Sequence, residues 1–217
     1  MTREFLGQVL GVLGISLALA TSFGSPASAV VTLTLENPGS TSYQQTQNSP
    51  CVIGDPSCNN PAGFGMTTLP AGSVSVYDSL SPFYTVAQIR NLVGNLFMVG
   101  IDVNTTTSPI ATETLDLFTM VINGVTEFRY NPASPGTPLV TQANGNGFSD
   151  ELLKGFDLTS FAGTDTVRFR AIVQTPTDGR EEFFLIANGT RPVPEPASIA
   201  MLGIALATLG FARRRRQ

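Results

Sequence analysis

The chain has no histidine, no tryptophan and only two cysteines, and charged side chains make up just 13% of its 217 residues. Without histidine it lacks the side chain that does most acid–base work near neutral pH. Ser-His-Asp and Cys-His catalysis go with it, as does every zinc site that needs imidazole. Without tryptophan, any aromatic platform for a sugar ring has to come from tyrosine or phenylalanine. Basic residues are also scarce: within residues 30–190, six face fourteen carboxylates. Such an acidic balance repels nucleic acid and anionic membrane surfaces, and it suits cations, neutral glycans or a solvated surface.

The two ends carry targeting patterns. Arg3 and Glu4 precede an apolar run from Val9 to Ala20, and the small residues that follow end in Ala27-Ser28-Ala29. Residues 1–29 therefore read as a secretory signal peptide cut after Ala29, the alternative being an uncleaved membrane anchor. At the other end, Val193-Pro194-Glu195-Pro196 leads into an uncharged stretch, Ala197 to Ala212, and then Arg213, Arg214, Arg215 and Arg216. A helix over 197–212 would be roughly 24 Å long, slightly short of the roughly 30 Å hydrocarbon core. The arginine cluster is expected to stay cytoplasmic and leave everything before Pro196 outside.

A Pro-Glu-Pro tripeptide, a short apolar helix and a terminal arginine run together resemble the PEP-CTERM sorting signal of Gram-negative bacteria and cyanobacteria. The resemblance covers residues 191–217. It implies that an exosortase-like enzyme recognises Pro194, Glu195 and Pro196, removes the hydrophobic tail, and releases or attaches the ectodomain at the cell surface, often beside exopolysaccharide. The plain alternative is a single-pass anchor with a proline-rich neck.

Residues 30–190 are long enough for one core. Period-two patterns dominate them, which predicts an all-β fold, an antiparallel β-sandwich. Val30 to Leu35 and Leu96 to Val103 read as strands. Leu115–Ile122 and Val125–Tyr130 flank Asn123-Gly124, the strongest short hairpin signal, because a type I′ turn needs positive φ at both central residues. Val167, Phe169, Ala171 and Val173 alternate with Arg168 and Arg170, and Asp178-Gly179 is expected to turn that strand back into Glu181–Ile186 as a second hairpin. Residues 36–71 and 131–147 read as loops or edges, and 149–154 as a short helix. The segment Gly155-Phe156-Asp157-Leu158-Thr159-Ser160-Phe161-Ala162-Gly163, followed by Thr166–Arg170, is similar to a stretch common in jelly-roll sandwiches of surface-anchored and carbohydrate-binding modules. That similarity implies a jelly-roll-like ectodomain.

Cys51 and Cys58 flank a Gly54-Asp55-Pro56 turn and read as a disulfide, as expected of an exported chain. The pair has neither the spacing nor the basic neighbours of a redox site. Asp102, Asn104, Asn144, Asn146, Asp150, Asp178 and Glu181 supply the oxygen ligands a structural calcium ion would need, although they lack EF-hand spacing; the plainer reading is turn residues. Tyr77, Phe83, Tyr84 and Tyr130 are candidate sugar contacts, or core aromatics. Two Asn-x-Thr sequences, at Asn104 and Asn188, read as incidental. A glycosidase needs two convergent carboxylates, but most here read as turn or solvent-facing residues, and the neighbours Glu181 and Glu182 must point to opposite faces of a strand. The expectation is therefore a non-enzymatic surface or matrix protein, structural or adhesive in association with exopolysaccharide. It would be processed by signal peptidase and an exosortase-like enzyme and held at the membrane beforehand. The alternatives are a calcium-assisted carbohydrate-binding module and, less favoured, a hydrolase.

Overall fold

A computed structural model describes residues 29–39, 41–72, 74–104, 113–141, 145–176 and 179–190. The sorting segment, all of the signal peptide except Ala29, and the calcium candidates Asn144 and Asp178 lie outside those residues.

In chain order the elements are β1 (Val31–Thr32), β2 (Thr34–Glu36), β3 (Cys51–Gly54), β4 (Thr67–Thr68), β5 (Val76–Leu80), β6 (Tyr84–Thr85) and α1 (Val86–Val93). They continue with β7 (Leu96–Asp102), β8 (Thr114–Ile122), β9 (Val125–Tyr130), β10 (Thr137–Pro138), β11 (Glu151–Asp157), β12 (Thr166–Gln174) and β13 (Glu182–Ala187). Two sheets form the sandwich. The first runs β1-β9-β8-β12-β5, with β10 added to β8 and β6 to β12; the second runs β2-β11-β7-β13-β3-β4. Pairing is antiparallel except for two short parallel contacts, β1 with β9 and β3 with β4, so both sheets are mixed.

Local chemistry explains several elements. Asn123 (φ 50°) and Gly124 (φ 82°) make the expected tight turn between β8 and β9. The alternation in β12 buries Val167, Phe169, Ala171 and Val173 completely and leaves Arg168 and Arg170 half-exposed. Phe118, Phe128, Phe156, Phe169 and Phe183 meet between the sheets, with ring centroids 5.6–6.2 Å apart.

Three sequence expectations are corrected. Residues 149–154 are not helical: Glu151 onward is strand β11, because Leu152 and Leu153 face opposite sides of a sheet that is covered on both. The helix is α1, which alternation around it obscured. Thr85 and Gln88 form a capping box at its start, and Arg90 in its last turn donates to the carbonyls of Leu158 and Phe161. Nor do β12 and β13 form a hairpin. Thr175 (φ 49°) turns the chain out of the first sheet, and β13 joins the second, between β7 and β3.

The loop expected over 36–71 holds β3, buried along its length, and it covers the outer face of the second sheet. There Tyr43, Cys58 and Met66 pack with Cys51, Leu152, Phe184 and Ile186 into a second small core. Asn60 fastens this cover by accepting from the Cys51 N–H at 2.8 Å and donating to the Cys51 carbonyl at 2.9 Å.

Candidate functional site

Strand directions give the sandwich two unlike poles. Ala29 and Val31 line a groove with Gly155 and Asp157, and Asn188 lines a second groove with the same two residues. The described chain therefore starts and stops at one pole, beside α1. β7, β8, β11, β12 and β13 all start or finish at the opposite pole, and the buried carboxylates collect there.

Two groups of acidic side chains meet at this acidic pole. Asp102 on β7 pairs in register with Glu182 on β13, and Asp150 enters β11 alongside, its N–H bonded to the Ile101 carbonyl. Gly100, Leu152 and Phe184 mark the outer face of the sheet, so these three carboxylates, each two positions nearer the pole (after Gly100, before Leu152 and before Phe184), form a row on that face under the cover. All three residues are at most 4% exposed. Asp102 Oδ2 accepts from the Gly147 N–H, and Asp150 Oδ2 accepts from the Val103 N–H at 2.7 Å. Burial raises the Asp102 carboxyl to about 8, with Asp150 and Glu182 adding repulsion. Burial also raises Glu182 and Glu151 to about 7, where Asp55 and Asp150 respectively add to the effect. Asp55 behaves differently: burial works to raise it, but hydrogen bonds from Arg180, at 2.7 Å, and Ser57 bring it below the usual range.

The second group lies on the inner side. Glu113 leads into β8 and Glu181 into β13, and their carboxylates face each other across the rim of the sandwich at 1% and 0% exposure. Burial raises both; the facing Glu181 adds to the rise at Glu113, whereas the proximity of the Glu113 carboxyl and the Tyr77 hydroxyl partly offsets it at Glu181. Tyr77, on β5, turns its buried hydroxyl toward Glu181. Among the described residues, neither carboxylate nor that hydroxyl completes a hydrogen bond.

The structure thus gathers Asp102, Asn104, Asp150 and Glu181 at one pole. Asn146 stands exposed beside Gly147, and the Asn104 amide supports the Arg180 carbonyl at 2.8 Å. It does not gather them round a single point. Among the described residues, one set of three metal-type side chains converges, Cys51, Cys58 and Glu182. Those two sulfurs are bonded to each other in the expected disulfide, so neither is a thiolate ligand.

The expectation that most carboxylates are solvent-facing is corrected for Asp102, Glu113, Asp150, Glu151, Glu181 and Glu182, all at most 4% exposed. Sequence reasoning missed Glu113 altogether. For Glu181 and Glu182 a signal was available: the unbroken apolar run Phe183–Ala187 marks a strand covered on both faces, so that the acids at its mouth would be covered too. Of the two readings of the tyrosines, sugar contact and core, Tyr77 and Tyr84 follow the core one and are corrected as sugar contacts. Tyr77 and Tyr84 are core residues at 6% and 4% exposure, and Tyr84 stacks on Phe64 with centroids 4.6 Å apart. Half-buried Tyr130 shares a 2.5 Å hydrogen bond with Thr137. Phe83, 68% exposed, lies under the Arg168 guanidinium at 4.7 Å.

Comparison with known proteins bears on the C-terminus. Residues 192–216 match the PEP-CTERM protein-sorting motif. No curated protein and no solved structure matches the chain. Among the described residues, no helix is long and apolar enough to cross a membrane.

Proposed function

We propose that this chain is a non-catalytic surface or matrix protein. It is exported and surface-directed through its PEP-CTERM segment, and its sandwich serves a structural or adhesive role within or beside exopolysaccharide. The observation that carries the reading is the position of the sorting motif: it begins at residue 192, just past Thr190, where the chain leaves the sandwich at the terminal pole. Before processing, the apolar stretch 197–212 holds the chain in the membrane by that pole, and the acidic pole points away from the bilayer. Burial of the facing pair Glu113 and Glu181 supports a non-catalytic reading, because a glycosidase needs its two carboxylates open to a substrate cleft.

Replacing Glu195 by alanine in the producing cell tests the sorting half. The expected outcome is an unprocessed, larger form retained in the membrane fraction; release of a normally sized product refutes it. The matrix half is tested by whether the processed protein co-fractionates with exopolysaccharide and is freed when the polysaccharide is degraded.

Exposed Phe83 favours a second reading, a carbohydrate-binding module, since an exposed aromatic ring with a guanidinium stacked on one side suits a sugar ring. Saturable glycan binding that is lost in Phe83→Ala would select it over the purely structural role.

A further inference from the structure

Glu113 and Glu181 enter the rim from different sheets, and all four of their carboxylate oxygens are buried without a hydrogen bond of normal geometry among the described residues. Two ionised carboxylates facing each other away from water repel strongly unless something positive lies between them. The basic side chain next in sequence does not serve: the Arg180 guanidinium is committed to Asp55 at 2.7 Å and to the Leu69 carbonyl at 2.6 Å. An independent observation points to the same spot. The Tyr77 hydroxyl, on a residue 6% exposed, comes from a third strand and turns toward Glu181 without completing a hydrogen bond of normal geometry to it or to any other described residue.

We propose that Glu113 and Glu181 are the paired carboxylate ligands of a buried divalent cation of the calcium class, with the Tyr77 hydroxyl beside it. The donor set is all oxygen, which suits a hard cation, and two carboxylates binding through both oxygens would supply four of the six to eight ligands calcium takes. The chain offers no imidazole, and both its cysteines are in the disulfide, so metals that prefer nitrogen or sulfur have no ligands here. Magnesium keeps several waters and demands octahedral geometry, so a closed rim favours calcium. Such an ion would fasten the start of β8 in one sheet to the start of β13 in the other at the pole remote from the tether. The inference goes beyond the surface role and does not depend on it.

Terbium, which binds calcium sites and is excited through nearby tyrosine, provides the probe, and the chain has four tyrosines and no tryptophan to confuse the signal. The full-length chain is purified in detergent, stripped with chelator and titrated with terbium. The expected result is tyrosine-sensitised emission that calcium displaces and that is lost in Tyr77→Phe. Calcium at about a hundredfold excess over its Kd should also raise the melting temperature by roughly 5–10 °C in the wild type. The same shift should persist in Tyr77→Phe, which keeps both carboxylates, and vanish in Glu181→Gln. A wild-type melting temperature indifferent to calcium would overturn the proposal and assign a shared proton to the pair. Emission that survives Tyr77→Phe, or a calcium shift that survives Glu181→Gln, would overturn it by placing the ion elsewhere. If Glu181→Gln fails to fold, the Tyr77→Phe comparison still decides.

Discussion

Asp102 stands directly opposite Glu182 on neighbouring antiparallel strands, both buried on the outer face of the second sheet. Like charges so placed oppose strand pairing, and burial adds to the cost of ionising either. Folding therefore favours the protonated form of these groups, raising Asp102 to about 8 and Glu151 and Glu182 to about 7.

The sign of the resulting pH dependence follows by linkage. In the unfolded chain these acids titrate near 4. Below that, both states are protonated and stability is complete; between about 4 and 8 the unfolded chain releases protons that the folded chain keeps, so stability falls as pH rises. With chelator present throughout, the denaturation midpoint should be higher at pH 5 than at pH 8. Asp102→Asn, whose amide oxygen can still accept from Gly147, should recover about 1–3 kcal/mol at pH 8 and flatten the profile. A midpoint that rises with pH would show that these carboxylates are ionised and paired in the fold.

How far this was legible in the sequence depended on what carries each feature. Alternation in β12 and the Asn123-Gly124 turn are local, and both stand where the sequence put them. The partner of β13 is not local: Asp178-Gly179 looks like a hairpin turn, but nothing in the adjacent residues tells a return within one sheet from a crossing to the other. The acidic pole shows the same division. Asp102, Asn104, Asp150 and Glu181 stood out by residue type, whereas the burial of Asp102 and Asp150 depends on the 41–66 segment folding back over the outer face, and that of Glu181 on the two sheets closing on each other, long-range events that local composition conceals.

The Cys51–Cys58 bridge anchors that cover, with Cys51 fully buried against Phe184 and Ile186. A loop this short is worth about 2.5 kcal/mol by chain entropy. Reducing agent should lower the melting temperature by roughly 5–10 °C, and a Cys51→Ser, Cys58→Ser double variant should melt at the lower temperature and ignore the reductant. An unchanged melt under reduction would mean that the covering segment stays in place without the bridge.

Asn123 contributes to the β8–β9 turn twice over. It adopts positive φ, and its side chain joins the turn to the neighbouring strand, accepting from the Thr166 N–H at 2.9 Å and donating to Asp165 at 2.9 Å. Asn123→Ala loses both contributions and should cost about 1–3 kcal/mol; Asn123→Gly keeps the backbone freedom and should cost less. Urea titration of the three proteins separates the two effects, and equal losses in both variants would assign the whole cost to the side-chain bonds.

Gly100 marks the tightest approach in the outer core. A Cβ there would lie 2.7 Å from Phe184 Cζ and 2.9 Å from Ile186 Cδ1, and both of those residues are fully buried beneath the cover. The ring has no solvent to move into, so Gly100→Ala should overpack the site and cost about 1–3 kcal/mol. Overpacking predicts more than a loss. Phe184→Leu alone leaves a gap and destabilises, but combined with Gly100→Ala it makes room for the new methyl, so the double variant should be more stable than the sum of the single effects allows, by about 1 kcal/mol or more. Strict additivity in denaturant titrations would mean that the alanine acts through the backbone of β7 instead. Because Asp102 lies two residues along the same face, that outcome would also shift the pH profile of Gly100→Ala, whereas a clash confined to Phe184 would leave it parallel to the wild type.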